Sequence, residues 1–326
     1  MARVLTDEAI RGVLPMADVV TTMRMALRER AHGSLYAPPR WSLDVPDGSL
    51  VVTAGVAMGV GTMGFRAYET LGRGPGHEGL VAVWNAEAGR FDGCIIGHRV
   101  GLLRTAGING VAAGALARED ASTLAVLGTG PQARQGARAV CAVRDIETVR
   151  VHSPTAEHRS GGAATSERRS REHRETFAER MPEKLGLEAD AVTAHDGPEP
   201  AVRGADVVYC ATDSEAPVLD TDWLDAGTHV HTLGPTRADG HELPTAVFDR
   251  ADVLATDSLD QVAASDEADG FVVDDWDERL VELGDLVTEG VERGSEAVTV
   301  FCSVGLAGTE VVLADRYLRE LDREDR

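Results

Sequence analysis

The segment TLAVLGTGPQARQGARAV, residues 123–140, constrains the fold of this chain more than any other. A short apolar run, typical of a buried strand, leads into two closely spaced glycines and then into a helix-like run. In such a turn Gly128 permits a tight bend, Gly130 lets the backbone approach a pyrophosphate, and Ala133 keeps the helix near the strand. The residues predicted to bind a dinucleotide here are Gly128, Gly130, Pro131, Gln132 and Ala133. The alternative interpretation is a purely structural turn.

From residue 122 onward, strand-like and helix-like segments alternate. The strand-like runs are TLAVLG, TVRVHS, DAVTAH, VVYCAT, HVHTLG and DVLATD. This alternation is typical of a parallel, doubly wound sheet, so we predict an α/β fold with a Rossmann domain over residues 121–302. The polar stretch 153–175 interrupts the alternation and is predicted to be a surface insertion with a hinge at Gly161 and Gly162.

The amino-terminal part follows a different pattern. Residues 7–32 carry an apolar stripe at helical spacing, which Pro15 divides by starting a second helix, and residues 36–94 contain strand-like runs separated by turns. The tail, TVFCSVGLAGTEVVLADRYLREL, predicts an amphipathic helix that returns to the amino-terminal part. We therefore predict a second, discontinuous α+β domain, formed by residues 1–120 and completed by a helix over residues 303–326.

The charge of the chain excludes one class of function. The formal net charge is -22, and Lys184 is the only lysine. Such an acidic composition indicates adaptation to very high salt, where screening weakens the repulsion between acidic groups, or else an ordinary acidic enzyme. A chain this negative repels polyanions, so nucleic-acid binding is excluded.

Composition also bounds the location and the metal content. No segment is long and apolar enough to cross a bilayer, and the amino terminus lacks the layout of a secretion signal, so we predict a cytoplasmic protein without a membrane partner. The four cysteines are widely scattered, which favours free thiols over a disulfide framework. His229 and His231 point to one face of a predicted strand but lack a third ligand, so no metal site is predicted.

The second strand of the predicted Rossmann domain ends where such domains select the nucleotide. NAD-binding proteins usually place an acid there, whereas TVRVHSPT ends in hydroxyl side chains. Ser153, Thr155 and Arg159 offer hydroxyls and a guanidinium to a 2′-phosphate, and no carboxylate stands at the strand end to repel it. We predict that NADP(H) is favoured over NAD(H). The alternative for Arg159 is an exposed helix residue.

Seven segments in one order resemble the ornithine cyclodeaminase and mu-crystallin proteins, and they cover nearly the whole chain. They are APPRWSL, GFRAYET, LLRTAG, VLGTGPQA, ADVVYCAT, WLDAGTHVHTLG and FCSVGLAG. The resemblance implies a Rossmann domain and a second domain, built from the amino-terminal region and the last helix, that forms a homodimer and contributes to substrate binding. It also implies small α-amino or α-imino acid substrates whose carboxylate is held by arginines.

Two arginines match the carboxylate-binding positions of the family: Arg40 in PPRW and Arg104 in LLRTAG. A guanidinium grips a carboxylate with two hydrogen bonds and keeps its charge. Arg104 enters a helix of small apolar residues, where a simple surface ion pair is not expected. Thr105 matches a position that touches the cofactor phosphate in the family, and Ser303 matches a helix start that faces the nicotinamide. The predicted cofactor set is completed by Thr212 and Gly234.

Two positions depart from the family. Arg66 in GFRAYET stands where a lysine is usual; arginine does not shuttle protons but can hold a carboxylate or polarise an imine. Thr236 stands where cyclodeaminases carry an aspartate that serves the amine chemistry. With Arg237, Asp239 and Glu242, it is similar to the variant found in mu-crystallin-type ketimine reductases, which makes cyclisation of ornithine the lesser alternative.

Together these features predict an NADP(H)-dependent reductase of small α-imino (ketimine) acids, or the reverse amino-acid dehydrogenase. Arg66, Arg104 and Thr236 are the predicted catalytic residues. Arg40, Arg66 and Arg104 are predicted to bind the substrate. Two alternatives stay open: ornithine cyclodeaminase or alanine dehydrogenase activity, and a non-catalytic protein that holds NADP(H) and a small carboxylate ligand.

Overall fold

Two large β-sheets form the framework of the protein. The computed structural model describes residues 2–71, 79–153 and 163–324. Within these residues the first sheet contains β1 Arg3–Thr6, β2 Leu35–Tyr36, β3 Trp41–Val45, β4 Gly48–Ala57, β5 Thr62–Glu69, β6 Gly79–Asn85 and β7 Arg90–Ile96. Its order is β1-β7-β6-β5-β4-β2, with β3 also paired to β4. Only the β1–β7 pair is parallel among these pairings, as expected for a sheet built mainly from hairpins.

The second sheet is the predicted doubly wound sheet. The strands from this half of the chain are β8 Thr123–Leu127, β9 Thr148–His152, β10 Val192–Ala194, β11 Val207–Cys210, β12 His229–Thr232, β13 Thr236–Arg237, β14 Gly240–His241, β15 Val253–Thr256, β16 Leu280–Glu282 and β17 Thr299–Cys302. The sheet order is β10-β9-β8-β11-β12-β17-β15-β16, and every pairing is parallel, while β13 and β14 form a separate hairpin. The predicted α/β Rossmann fold is confirmed, with its first strand, β8, in the interior of the sheet.

Helices cover both sheets. They are α1 Met16–Ala31, α2 Arg99–Leu116, α3 Pro131–Cys141, α4 Ala163–Leu185, α5 Pro198–Val202, α6 Thr245–Arg250, α7 Leu259–Asp269, α8 Trp276–Arg279, α9 Leu283–Glu289 and α10 Thr309–Glu324, with 3-10 turns at Ala189–Ala191 and Thr221–Trp223. Helix α2 connects the two sheets and packs against α1 and α3. Its glycines allow this approach, because a Cβ on Gly110 would lie 2.7 Å from Val20 and 3.1 Å from Ala139. No helix of the described residues combines the length and apolar character of a membrane span.

The carboxyl-terminal helix returns to the first sheet. Helix α10 packs on β5, β6 and α1, and the loop before it approaches β4 so closely that a Cβ on Gly55 would lie 2.4 Å from the Cα of Gly308. This arrangement is consistent with the discontinuous layout expected from the tail. The division of the chain into 1–120 with 303–326 and 121–302 stays a prediction.

Two local predictions were wrong, and a third falls partly outside the described residues. Residues 7–14 form turns rather than a helix, because Gly12 takes a left-handed φ of 77°, and Pro15 precedes α1 instead of starting it. Of the surface insertion expected over 153–175, the part from Ala163 lies in helix α4, on which Arg171, Glu172 and His173 are exposed; the proposed hinge lies outside the described residues. The tail begins as strand β17, and its helix starts at Thr309 rather than at residue 303.

Two histidines on β12 are buried in the second sheet. The rings of His229 and His231 have centroids 4.3 Å apart. His229 Nδ1 lies 2.8 Å from the Thr299 hydroxyl oxygen, which donates its own hydrogen to the Leu116 carbonyl, so the histidine is the donor. Burial lowers the pKa of both rings, that of His231 to about 3. Both side chains are therefore neutral in the folded protein at neutral pH.

We expect these histidines to destabilise the protein as the pH falls below about 6.5, the ordinary pKa of a histidine in an unfolded chain. The unfolded chain then gains a proton on each ring while the folded chain does not, so each ring lowers the free energy of unfolding by up to about 1.4 kcal/mol per pH unit. Urea denaturation should show a shallower pH slope for His229→Gln than for the exposed-site control His32→Gln. Equal slopes would contradict the expectation.

Candidate functional site

The predicted glycine turn joins β8 to α3. Gly128 has a φ of 117° and donates its N–H to the His152 carbonyl at 2.8 Å, and a Cβ there would lie 2.4 Å from the Ala211 carbonyl oxygen. Gly130 caps α3 and has open space where a Cβ would point, and Pro131 begins the helix. The first amides of α3 are therefore free of intrahelical partners at an open turn, which suits the phosphates of a dinucleotide.

The close packing of α3 on the sheet depends on a glycine that the sequence motif did not single out. A Cβ on Gly136 would lie 2.1 Å from the ring of Tyr209 on β11. Ala133, which was predicted to keep the helix close, is fully buried. Both small residues face the sheet, and Gly136 makes the tighter approach.

A buried carboxylate fixes the ends of β11 and β12. Glu242 accepts hydrogen bonds from the amide and hydroxyl of Thr212, the hydroxyl of Thr232, and the amides of Leu233 and Gly234, at 2.6–3.0 Å. Burial raises the pKa of Glu242, and these hydrogen bonds oppose the shift. The predicted cofactor residues Thr212 and Gly234 are thus held together at the carboxyl edge of the parallel sheet, where such folds bind ligands.

A cleft of about 170 Å³ opens beside this edge. Its lining residues are Arg104, Thr105, Gln132, Leu233, Ser303, Val304 and Gly305. Four of these, Arg104, Thr105, Gln132 and Ser303, are predicted site residues that come from α2, α3 and the loop after β17. The structure therefore brings an arginine from the first half of the chain next to the glycine turn of the second.

Behind the cleft, two arginines share one carboxylate. Glu310 Oε1 lies 3.1 Å from Arg104 Nη2 and 3.6 Å from Arg66 Nη1, and all three side chains are nearly or fully buried. Arg66 also lies over the ring of Tyr68, 3.9 Å from its centroid, and has room because residue 101 is glycine. Burial lowers the pKa of Arg66, and Glu310 opposes the shift; the guanidinium keeps its charge. The cluster carries one net positive charge.

Arg104 keeps hydrogen-bond donors that Glu310 does not satisfy. Its Nε and Nη1 atoms are buried and have no hydrogen-bond partner in the part of the chain that the structure describes. Gly305, with a φ of 95°, lies against the same guanidinium: a Cβ there would be 3.3 Å from Nη1. A desolvated cation with unsatisfied donors thus stands at the wall of the cleft, a setting that favours an anionic ligand.

Asp257 and Arg40 hold the loop after β17. The buried Asp257 carboxylate accepts the amides of Val304 and Gly305, both at 2.9 Å, and burial raises its pKa while Arg104 opposes this. Arg40 is exposed and donates to the Val304 carbonyl at 2.7 Å. Arg40 thus contacts the loop that lines the cleft without lining the cleft itself.

Several predicted residues lie elsewhere. Thr236, on the β13–β14 hairpin, and Arg66 are not among the lining residues of the cleft. Ser303 follows a strand instead of starting a helix. Ser153 lies at the end of β9, its hydroxyl 3.5 Å from that of Thr129. Thr155 and Arg159 lie outside the described residues.

Sequence reasoning missed Glu310 and Asp257. A glutamate in the first turn of an otherwise apolar helix face was the available signal for Glu310. Asp257 directly follows the buried strand β15, the place where ligand-edge residues occur in parallel sheets. Among the residues that the structure describes, no three His, Cys, Asp or Glu side chains are grouped to hold a metal ion.

Removing the shared carboxylate tests this cluster. Glu310→Gln removes the carboxylate that two buried guanidinium groups share, so we expect the free energy of unfolding to fall by about 3 kcal/mol or more. Glu320→Gln, on the same helix, breaks only partly exposed pairs with Arg316 and Arg323 and should change stability little. Denaturant unfolding at neutral pH measures both, and added formate should partly restore Glu310→Gln. Similar stability of the two variants would contradict the account.

Comparison with known proteins identifies the family of the chain. A model of the ornithine cyclodeaminase/mu-crystallin family matches residues 2–324. The Delta(1)-pyrroline-2-carboxylate reductase of Bacillus cereus is 28% identical over 97% of this chain and 95% of its own. An uncharacterized cyclodeaminase of Sinorhizobium fredii is 30% identical over 95% and 92% of the two chains.

A solved structure shows the same fold. The Delta(1)-pyrroline-2-carboxylate reductase of Thermococcus litoralis, in complex with NADH and L-proline, superposes with a TM-score of 0.84. The two chains are 22% identical, and the match covers 99% of this chain and 98% of the other. The family expected from the seven segments is confirmed by the family match over nearly the entire length. The chain belongs to the ornithine cyclodeaminase/mu-crystallin family.

Proposed function

We propose that this protein is an NAD(P)H-dependent oxidoreductase that reduces small α-imino acids or oxidises the matching amino acids. The observation that carries the proposal is the placement of Arg104, with unsatisfied donors, in one cleft with Gln132 of the glycine-turn helix. Two similar proteins, from B. cereus and T. litoralis, are named as reductases of a cyclic imino acid, which supports the same class of reaction here.

The residues at the edge of the second sheet fit a dinucleotide. The open turn at Gly130 and the free amides of α3 would hold the pyrophosphate, and Thr105 and Ser303 would contact the cofactor from the opposite wall of the cleft. The nicotinamide supplies or accepts the hydride when it is bound. We propose NADP(H) over NAD(H), because β9 ends at His152 and the residue after it, Ser153, carries no carboxylate.

Arg104 and Arg66 have different parts in the proposed reaction. Arg104 would hold the substrate carboxylate with its free Nε and Nη1 donors, which fixes the orientation of the imine carbon. Arg66 would not line the cleft itself. It would add positive charge behind Arg104, because the two arginines share Glu310. An arginine does not donate a proton near neutral pH, so the proton on the imine nitrogen has to come from solvent or arrive with the substrate. We assign no step to Thr236.

A non-catalytic role is the second candidate. It is motivated by Arg66, which stands where a proton-transferring lysine is usual in the family and cannot replace that function. A protein of this kind would bind NADP(H) and a small carboxylate but would not oxidise the reduced cofactor. Measurement of turnover separates the two candidates.

We expect absorbance of NADPH to fall when Delta(1)-pyrroline-2-carboxylate is added in molar salt. Arg104→Met should lower kcat/KM by about 10- to 100-fold, the effect of losing charge-assisted hydrogen bonds, and should leave the Kd for NADPH nearly unchanged. The matched control is Arg237→Met, an exposed arginine paired with Glu215 on the hairpin side. No turnover with cyclic imino acids, pyruvate and ammonia, alanine or ornithine would favour the non-catalytic role.

We also propose that the protein is a homodimer formed through the first sheet. Trp41, Leu43 and Val45 alternate along β3 and are 57%, 51% and 47% exposed. Leu50, opposite Leu43 in the register of β4, is 45% exposed. A contiguous apolar face of this kind on an otherwise acidic protein is typical of a surface covered by a partner.

Leu43→Asp should shift the protein from dimer to monomer in sedimentation velocity, because it introduces a charge into the apolar face. Val281→Asp, at an exposed position of the second sheet, is the control and should leave the assembly unchanged. A monomeric unmodified protein, or a dimer insensitive to Leu43→Asp, would contradict the proposal.

A further inference from the structure

Asn109 is a buried amide that connects three elements around the cleft. It is fully buried on α2, one turn after Thr105. Its Nδ2 donates to the Thr105 carbonyl at 2.9 Å and to the Ser303 hydroxyl oxygen at 3.2 Å, and its Oδ1 lies 3.0 Å from His231 Nδ1. The side chain therefore joins α2, the end of β17 and the buried strand β12.

The direction of each hydrogen bond follows from the Thr105 carbonyl, which can only accept. The amide nitrogen of Asn109 must face that carbonyl, so its oxygen faces His231, and His231 donates from Nδ1. Burial lowers the pKa of His231 to about 3, so the ring is neutral and keeps one tautomer at neutral pH. The second N–H of Asn109 is then available only to the Ser303 hydroxyl oxygen.

Ser303 therefore accepts from Asn109 and keeps its own hydrogen for another partner. Within residues 2–71, 79–153 and 163–324 its hydroxyl donates to no group, and the side chain lines the cleft. We propose that Asn109 is a positioning residue that makes the Ser303 hydroxyl a hydrogen-bond donor to an oxygen atom of the bound dinucleotide. This inference rests on the proposed function.

The dinucleotide, rather than the imino acid, is the favoured acceptor. Ser303 stands at the carboxyl end of a parallel strand, and Gln132 of the glycine-turn helix lines the same cleft. Arg104 already offers a positive charge to a substrate carboxylate, so Ser303 is not needed for that contact. A neutral hydroxyl donor suits a neutral oxygen such as that of a carboxamide.

The test reverses one hydrogen bond. Asn109→Asp replaces the amide NH₂ by an acceptor of the same size, so the Ser303 hydroxyl must turn its hydrogen away from the ligand. We expect the Kd for NADPH, measured by fluorescence titration with NADH in parallel, to rise about three- to tenfold, the effect of one neutral hydrogen bond. Ser303→Ala should have a similar effect, and the double variant should bind no more weakly than either single variant.

Two further variants make the result interpretable. Thr299→Val removes a buried hydroxyl that bonds His229, away from the cleft, and should leave the Kd unchanged. If Asn109→Asp does not fold, Asn109→Leu replaces it in the comparison of single and double variants with Ser303→Ala. The double variant Asn109→Leu/Ser303→Ala should again bind no more weakly than either single variant.

Three results would overturn the inference: an unchanged Kd in the Asn109 variants, additive effects in the double variant, or a loss confined to the KM of the imino acid. Failure of the unmodified protein to bind NADPH or NADH would instead refute the proposed function itself. The two failures are distinguishable, because the three results that overturn the inference can be observed only if the unmodified protein binds NADPH or NADH.

Discussion

The ion cluster of Arg66, Arg104 and Glu310 is the interaction on which the arrangement of this protein depends. Its members come from β5, α2 and α10, so it ties the carboxyl-terminal helix to the first sheet and to the helix that connects the two sheets. Burying three charges is costly unless their hydrogen-bonding groups are satisfied, and here one cation is left with free donors. Such an unsatisfied cation is a cost to the free protein, and under the proposed function a bound carboxylate would remove it.

The net charge of this three-residue cluster is positive, opposite in sign to the net charge of the whole molecule. The chain has a net charge of -22, whereas a dinucleotide is an anion and an imino acid carries a carboxylate. Long-range repulsion would slow their approach at low salt, and screening at high salt would weaken it. At short range the buried arginines are less screened, so under the proposed function they would still attract an anion that enters the cleft.

Buried carboxylates and an amide hold the rest of the site. Glu242 fixes the ends of β11 and β12, Asp257 fixes the loop after β17, and Asn109 links that loop to α2. Each group is fully or almost fully buried and uses several hydrogen bonds to set the position of backbone or hydroxyl donors. The site is therefore shaped by polar groups that do not face the ligand themselves.

Features that depend on residues close together in the chain could be predicted from the sequence. The glycine turn and the strands of the parallel sheet follow from residue spacing over a few turns of chain, and the structure contains both. Arg104 was taken from the resemblance to the family, and it lines the cleft. The contact between Arg104 and Glu310 joins residues about 200 positions apart, so no spacing reveals it. Thr236 was chosen by likeness to the family alone, and its hairpin lies outside the lining of the cleft.

A crystal structure of the protein with NADPH and L-proline tests the central claim most directly. The account predicts that the carboxylate of the amino acid lies within hydrogen-bond distance of Arg104 Nε or Nη1, with the nicotinamide beside it. A carboxylate bound away from Arg104, or a dinucleotide bound away from the turn at Gly130, would contradict the account.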